Sequence, residues 1–245
     1  AEVYREPSGW SNGLTLDADG NVLACEHGGR RVSRHPYADP TCDSTVVDRW
    51  NDVALNSPND LVVHSSGAIF FTDPTYGADT GSTPRFGQEG QKPELDFQGV
   101  YRIDTDGSLS LVVGEGFSQP NGLAFSPDES VLYVGDSQER KIWRYQVDDG
   151  LALGERMLFL DQSGDPRGGA PDGMKVDTDG RLWTTGAGGI SVHTASGDYL
   201  GVFEMVEHAA NLTFGGDDFS TLFMTAGTSV YCIQTAVRGV VPGSR

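Results

Sequence analysis

One pattern restricts this chain more than any other: a polar residue, an alternating apolar run, a tight turn and a second apolar run, five times over. The copies are NGLTLDADGNVLACE, NDLVVHSSGAIFFTD, NGLAFSPDESVLYVGD, DGMKVDTDGRLWTTG and NLTFGGDDFSTLFMTA, opening at Asn12, Asn59, Asn121, Asp172 and Asn211. Period-2 runs rich in Val, Leu, Phe, Tyr and Trp around Asp-Gly, Ser-Gly or Pro-Asp turns read as β-hairpins. The rest of each unit adds two more runs, as in QGVYRID with SLSLVVG and KIWRYQVD with RMLFLD. Four strands recurring at such spacing is the plan of a β-propeller, whose blades take about 40 to 50 residues each. The expected fold is all-β, one propeller domain over 1–245. The polar stretch YGADTGSTPRFGQEGQKPELDF, residues 76–97, reads as a surface loop that shapes specificity.

In a propeller the first strand of each blade lines the axis, so equivalent residues converge. Asn12, Asn59, Asn121, Asp172 and Asn211 are therefore expected to form a ring of oxygen donors, the kind hard cations such as calcium take. The second strands return to the same end, which puts Glu26, His27, Asp73, Tyr76 and Asp136 on the rim. Taken singly, an Asn or Asp before Gly more often serves a turn; five in register argue for the ring. The tips Asp17–Gly20 and Asp177–Gly180 lack the glycine and glutamate placement of an EF-hand and read as turns. Gly9-Trp10-Ser11-Asn12-Gly13 matches G-x-S-x-G, but a hairpin follows it where a nucleophile elbow needs a helix. His27 has a pKa suited to acid–base work and equally suits a structural role. Arg30 and Arg31 either hold carboxylates of the fold or fix an anionic substrate. The glycosylation pattern at Asn211 opens a core strand.

Charge narrows the partners. Seventeen Lys and Arg against 35 Asp and Glu leave a net charge of −18, which repels phosphate backbones and anionic lipid. Neither nucleic acid nor a membrane is an expected partner. Three widely spaced cysteines form no disulfide or zinc framework, and with no leader-like segment they point to the cytoplasm.

The segments SPNDLVV with GAIFFTDPTYG, QPNGLAFSPDESVLYVGD, APDGMKVDTDGRLW and ACEHGGRRVSR closely resemble those of the gluconolactonase and regucalcin (SMP-30) family. The resemblance implies a six-bladed propeller, five of its blades recognisable here, that hydrolyses a small sugar-type lactone. It implies one divalent cation, usually Ca2+, with Zn2+, Mg2+ or Mn2+ as alternatives. By motif Asn59, Asn121 and Asp172 are its ligands. Asp172 is also the candidate carboxylate for activating water, with His27 sharing that role. Asn12, Asn59, Asp73, Tyr76, Asp136 and Asn211 are the expected substrate contacts. The family's opening glutamate in an E-G-P context has no match, and AEVYREPSG resembles the outer strand closing that blade. The alternatives are a non-catalytic propeller that binds a metal or a partner, and a related propeller esterase or phosphotriesterase.

Overall fold

A computed structural model describes residues 2–78 and 91–241; positions 79–90 of the expected specificity loop lie outside it. The fold is all-β, a β-propeller of five blades, and the described residues contain no helix. They gather into two compact units, one ending at Pro120 and one spanning Asn121–Val241.

The first unit holds two blades. Blade 1 is β1 (Ser11–Leu16), β2 (Val22–Glu26), β3 (Arg31–His35) and β4 (Ser44–Val47), hydrogen-bonded in that order. A short ribbon follows, β5 (Arg49–Trp50) with β6 (Val53–Ala54). Its turn residues Asn51 and Asp52 both have positive φ, 48° and 67°, the mirror-image geometry that suits two-residue hairpins. Blade 2 is β7 (Leu61–Val63), β8 (Ile69–Asp73), β9 (Gly99–Ile103) and β10 (Leu109–Val113).

The second unit holds three. Blade 3 is β11 (Pro120–Phe125), β12 (Val131–Asp136), β13 (Lys141–Gln146) and β14 (Met157–Asp161). Blade 4 is β15 (Met174–Val176), β16 (Leu182–Gly186), β17 (Gly189–His193) and β18 (Tyr199–Glu204). Blade 5 has three strands, β19 (Ala209–Gly215), β20 (Thr221–Ala226) and β21 (Val230–Gln234), not the expected four. The chain after β21 pairs elsewhere: Thr178 N–H donates to Arg238 O (2.8 Å) and Gly239 N–H to Phe219 O (2.9 Å). Those backbone groups are spent at the end of β15 and the β19–β20 turn, so no strand forms beside β21. Residues 2–10 also form no strand. Arg5 ties that segment down instead, donating to Pro7 O and pairing with Asp43. A sixth blade is not seen among the described residues.

Sequence pattern explains the layering. The second strands VLACE, IFFTD and LWTTG are buried at every position, because apolar side chains leave both faces of each sheet to meet a neighbouring blade. Outer strands β4, β14 and β18 keep only their middles or ends covered. The cores accordingly sit between blades. Leu23 and Val32 of blade 1 pack with Leu61, Phe71 and Tyr101 of blade 2, where the Phe71 and Tyr101 rings stack at 5.2 Å. Tyr133 and Ile142 of blade 3 meet Met174 and Leu182 of blade 4, and Trp183 and Ile190 of blade 4 meet Leu212 and Phe214 of blade 5.

The hairpin tips are turns that satisfy themselves. Asp17 Oδ1 accepts Asp19 and Asn21 N–H, and Asp177 Oδ1 accepts Asp179 and Arg181 N–H. These carboxylates hold backbone.

Candidate functional site

Blades 1 to 4 begin with a polar residue followed by a small or short one, and the backbone shows why. In the first unit Gly13 N–H donates to Asn59 O (2.8 Å). A Cβ on Gly13 would stand 2.6 Å from that same oxygen. In the second, a Cβ on Gly122 would stand 1.9 Å from Asp172 O. Gly173 N–H donates to Ala210 O (2.9 Å), and a Cβ there would meet Asn211 Oδ1 at 2.1 Å. The glycine after the opening residue lets one blade's opening lie against the carbonyl of the next.

This contact corrects the expected ring by one residue. The carbonyl that meets the preceding glycine belongs to Asn59, to Asp172 and, in blade 5, to Ala210. Asn211 stands one place further on and matches Asp60. The two make the same bond, Asp60 Oδ1 accepting Leu61 N–H (2.9 Å) and Asn211 Oδ1 accepting Leu212 N–H (2.8 Å). In a strand a shift of one residue turns the side chain to the other face, so Asn211 is a local cap and blade 5 offers alanine at the opening position. Replacing Asn211 by Ala is expected to cost about 1 kcal/mol of stability, checked by melting.

In the first unit Asn12, His27 and Asn59 come together. Asn59 Oδ1 accepts from Asn12 Nδ2 (2.5 Å) and from His27 Nε2 (3.1 Å). An amide oxygen cannot donate, so Nε2 carries the hydrogen and the other ring nitrogen, Nδ1, is the basic one. Burial lowers the pKa of the His27 ring, opposed by the Asn59 bond. The backbone of Gly77 lies over it, since a Cβ there would be 2.6 Å from His27 Cβ. Tyr76, half-buried, is the neighbour of that glycine. Ser11, the serine of the G-x-S-x-G pattern, begins β1 and donates to Ser8 O; no elbow forms.

Asp73 and Asp136 end the second strands of blades 2 and 3, and both are fully buried. Asp73 accepts Asn56 N–H and Ser57 N–H, each at 2.8 Å, one on each oxygen. It clamps the segment leading into Asn59. Ser57 Oγ continues the tie to Pro74 O and receives Gly77 N–H. Asp136 Oδ1 accepts Glu139 N–H (3.0 Å). Each carboxylate holds backbone of its own unit. Burial raises the Asp73 pKa to about 7, against the two N–H bonds and Arg30, which pull it down.

A carboxyl whose folded value lies above its unfolded one favours the native state while it is protonated. Between an unfolded value near ~4 and about 7 the folded chain holds a proton the unfolded chain has lost. Stability is therefore expected to fall as pH rises through that window, by up to about 1.4 kcal/mol per unit. Asp73→Asn should flatten the slope and cost about 1–3 kcal/mol, because its NH2 meets a backbone N–H. Urea unfolding across the window checks both; parallel slopes would refute the assignment.

In the second unit Asn121 and Asp172 open adjoining blades. Asn121 Nδ2 donates to Ser137 Oγ (2.9 Å), and Ser137 Oγ donates to Pro171 O. Asp172 N–H donates to Thr185 Oγ1 (2.9 Å). Asn121 is buried and Asp172 half-buried. Nδ2 bonds Ser137, so the oxygen is the atom of the Asn121 amide that a cation would meet. An amide oxygen and a carboxylate on adjacent openings fit a hard cation. Asn59, the third expected ligand, lies in the first unit with its oxygen bonded to Asn12 Nδ2 and His27 Nε2. No cluster of three His, Cys, Asp or Glu suited to a metal occurs among the described residues.

The arginines serve the fold. Arg31 grips buried Glu26 through Nε (2.7 Å) and Nη2 (3.2 Å). Arg30 donates to Leu55 O and pairs with Glu94.

Propeller blades whose openings carry amide and carboxylate oxygens define the class, and the comparisons with known proteins give the family. The SMP-30/Gluconolactonase/LRE-like region model matches residues 1–228, and the chain belongs to that family. A gluconolactonase of Zymomonas mobilis is 35% identical, aligned over 98% of this chain and 66% of its own length. A pentonolactonase of Haloferax volcanii is 30% identical over 87% of this chain and 66% of its own length. The solved structure of a gluconolactonase from Xanthomonas campestris superposes with a TM-score of 0.85 at 34% identity, covering 98% of this chain and 75% of that one. The chain thus spans about two thirds of the length of the curated relatives it matches. No helix among the described residues is long and apolar enough to cross a membrane.

Proposed function

We propose that this chain carries the hydrolytic site of a lactonase acting on a small sugar-type lactone, with a divalent cation held by Asn121 and Asp172. The observation that carries the reading is the placement of those two side chains on adjoining blade openings, in a chain of the gluconolactonase family. Their oxygen-only chemistry favours Ca2+ over softer metals. When bound, such an ion supplies Lewis-acid polarisation of the lactone carbonyl and charge stabilisation for the oxyanion.

The protein's own groups divide the remaining work. Asp172, half-buried, accepts a proton from water as the water oxygen bonds to the carbonyl carbon. The ring C–O bond then breaks, and the proton passes to the departing alkoxide oxygen, leaving a hydroxycarboxylic acid. Within the first unit His27 is the candidate acid–base group, its pKa lowered by burial. Asn12 and Asn59 fix the orientation of that ring through the Asn59 oxygen they share. Asp73 and Asp136 act by holding backbone.

The test is hydrolysis of an aldonolactone followed by proton release, with a phosphotriester in parallel. Lactone turnover well above the phosphotriester rate supports the reading. No turnover of the lactone, with the cation supplied, would refute it and favour a binding propeller.

A further inference from the structure

The third strands of blades 1 and 4 carry Ser-x-His at matched positions. In β3, Ser33 and His35 lie opposite Ala24 and Val22; in β17, Ser191 and His193 lie opposite Thr184 and Leu182. Serine Oγ sits against histidine Nε2 in both, at 2.8 Å and 3.0 Å, and all four residues are buried. In blade 1 the pair serves a carboxylate. Glu26 accepts Ser33 Oγ (2.6 Å) and the fork of Arg31, with His35 Nε2 at 3.7 Å.

In blade 4 the residues matching Glu26 and Arg31 are Gly186 and Gly189. No side-chain carboxylate reaches Ser191: among the described residues His193 is the one hydrogen-bond partner of its Oγ. Gln162 covers Gly186, its Oε1 accepting Ala187 N–H (3.3 Å). A cavity of about 220 Å³ opens beside it, walled by Ser191, His193, Tyr199, Arg167, Asp165 and Asp161. Arg167 arrives from the loop before β15 and places a guanidinium in the wall of this cavity. It already forks onto Asp165, at 3.0 and 2.6 Å.

We propose that this cavity binds a small hydroxycarboxylate, its carboxylate held by Ser191 and Arg167 beside His193, as Glu26 is held in blade 1, and its hydroxyls donating to Asp161 and Asp165. The mixed charge of the walls selects both halves of the ligand. A bare anion would meet two acidic residues with nothing to offer them. A neutral polyol would give Ser191 Oγ no anionic acceptor of the kind Ser33 has in Glu26. Tyr199, half exposed and edge-on to His193 at 5.6 Å, gives the carbon chain an apolar wall. Ring opening of a sugar lactone yields this chemical class, so under the proposed function the cavity would take up product; that link rests on the function, and the binding does not.

Sodium gluconate, acetate and sorbitol are titrated by calorimetry into the wild type and into Asp172→Ala, Ser191→Ala and Arg167→Ala, with melting curves showing each variant folded. Saturable gluconate binding is expected in the wild type and undiminished in Asp172→Ala, which separates this cavity from the proposed catalytic site whether or not the chain hydrolyses lactones. Ser191→Ala and Arg167→Ala should each weaken it by about tenfold or more, and acetate and sorbitol should bind weaker by a similar factor. Absence of saturable gluconate binding, binding indifferent to both Ser191→Ala and Arg167→Ala, or binding lost in Asp172→Ala would overturn the proposal.

Discussion

Gly122→Ala is expected to destabilise the chain by at least about 3 kcal/mol and to abolish any function of the second unit. The added methyl would stand 1.9 Å from Asp172 O and 3.0 Å from its carbonyl carbon. Backbone cannot swing aside as a side chain does, so the opening of blade 3 must leave that of blade 4. Overpacking a well-fitted site costs about 1–3 kcal/mol, and more where the obstacle is main chain. Gly201 in β18 is the control: nothing lies within 4 Å of a Cβ built there, and Gly201→Ala should change stability by less than about 0.5 kcal/mol. Urea unfolding of both variants checks the contrast. Similar stabilities would mean that blade openings do not pack as closely as described.

Asp172→Asn is expected to lower kcat/KM for lactone hydrolysis by at least about 100-fold, near 2.7 kcal/mol of transition-state stabilisation. The amide keeps the shape of the side chain, and the bond from Asp172 N–H to Thr185 Oγ1 is made by backbone, so the fold is retained. What disappears is the negative charge that a cation would need and the oxygen that accepts a proton from water. Asn12→Ala provides the comparison. It removes one of two donors to Asn59 Oδ1 and should loosen the His27 arrangement with a smaller loss, about tenfold or less. An Asp172→Asn enzyme as active as the wild type would remove that carboxylate from the mechanism.

The hairpins were legible in the sequence because each obeys a period of two and closes on turn residues that accept N–H groups of their own tip, as Asp17 and Asp177 show. The register of blade 5 was not. Asn211 invites alignment with Asn12 and Asn121, yet an asparagine that caps its neighbour's N–H and one that opens a blade look alike in one dimension. The apolar residue that follows was the better guide: Leu61, Leu123, Met174 and Leu212 are all buried, and counting back two from Leu212 gives Ala210. The β5–β6 ribbon carried a signal in Asn51-Asp52 that went unread between two blades. The fourth strand expected in blade 5 is missing because backbone pairing near Arg238 and Gly239 takes its place.

Site residues were readable as types and not as jobs. Asp73 and Asp136, expected as substrate contacts, are buried, Asp73 accepting two backbone N–H groups and Asp136 the N–H of Glu139. His27 reaches Asn59 from 32 positions away, a distance no local pattern spans. The Ser-x-His repeat was visible as letters, RVSRH and GISVH, and acquired meaning only when strand pairing showed glycine opposite Glu26's place.

Under the proposed function a cation binds at Asn121 and Asp172, and lactone hydrolysis depends on it. Crystals of the chain grown with calcium, refined for the oxygens within about 2.3 to 2.6 Å of any ion, test it directly. Density bounded by Asn121 Oδ1 and an Asp172 carboxylate oxygen, and lost in Asp172→Asn, is the predicted result. An ion held elsewhere, or none at a calcium concentration that supports turnover, would contradict it.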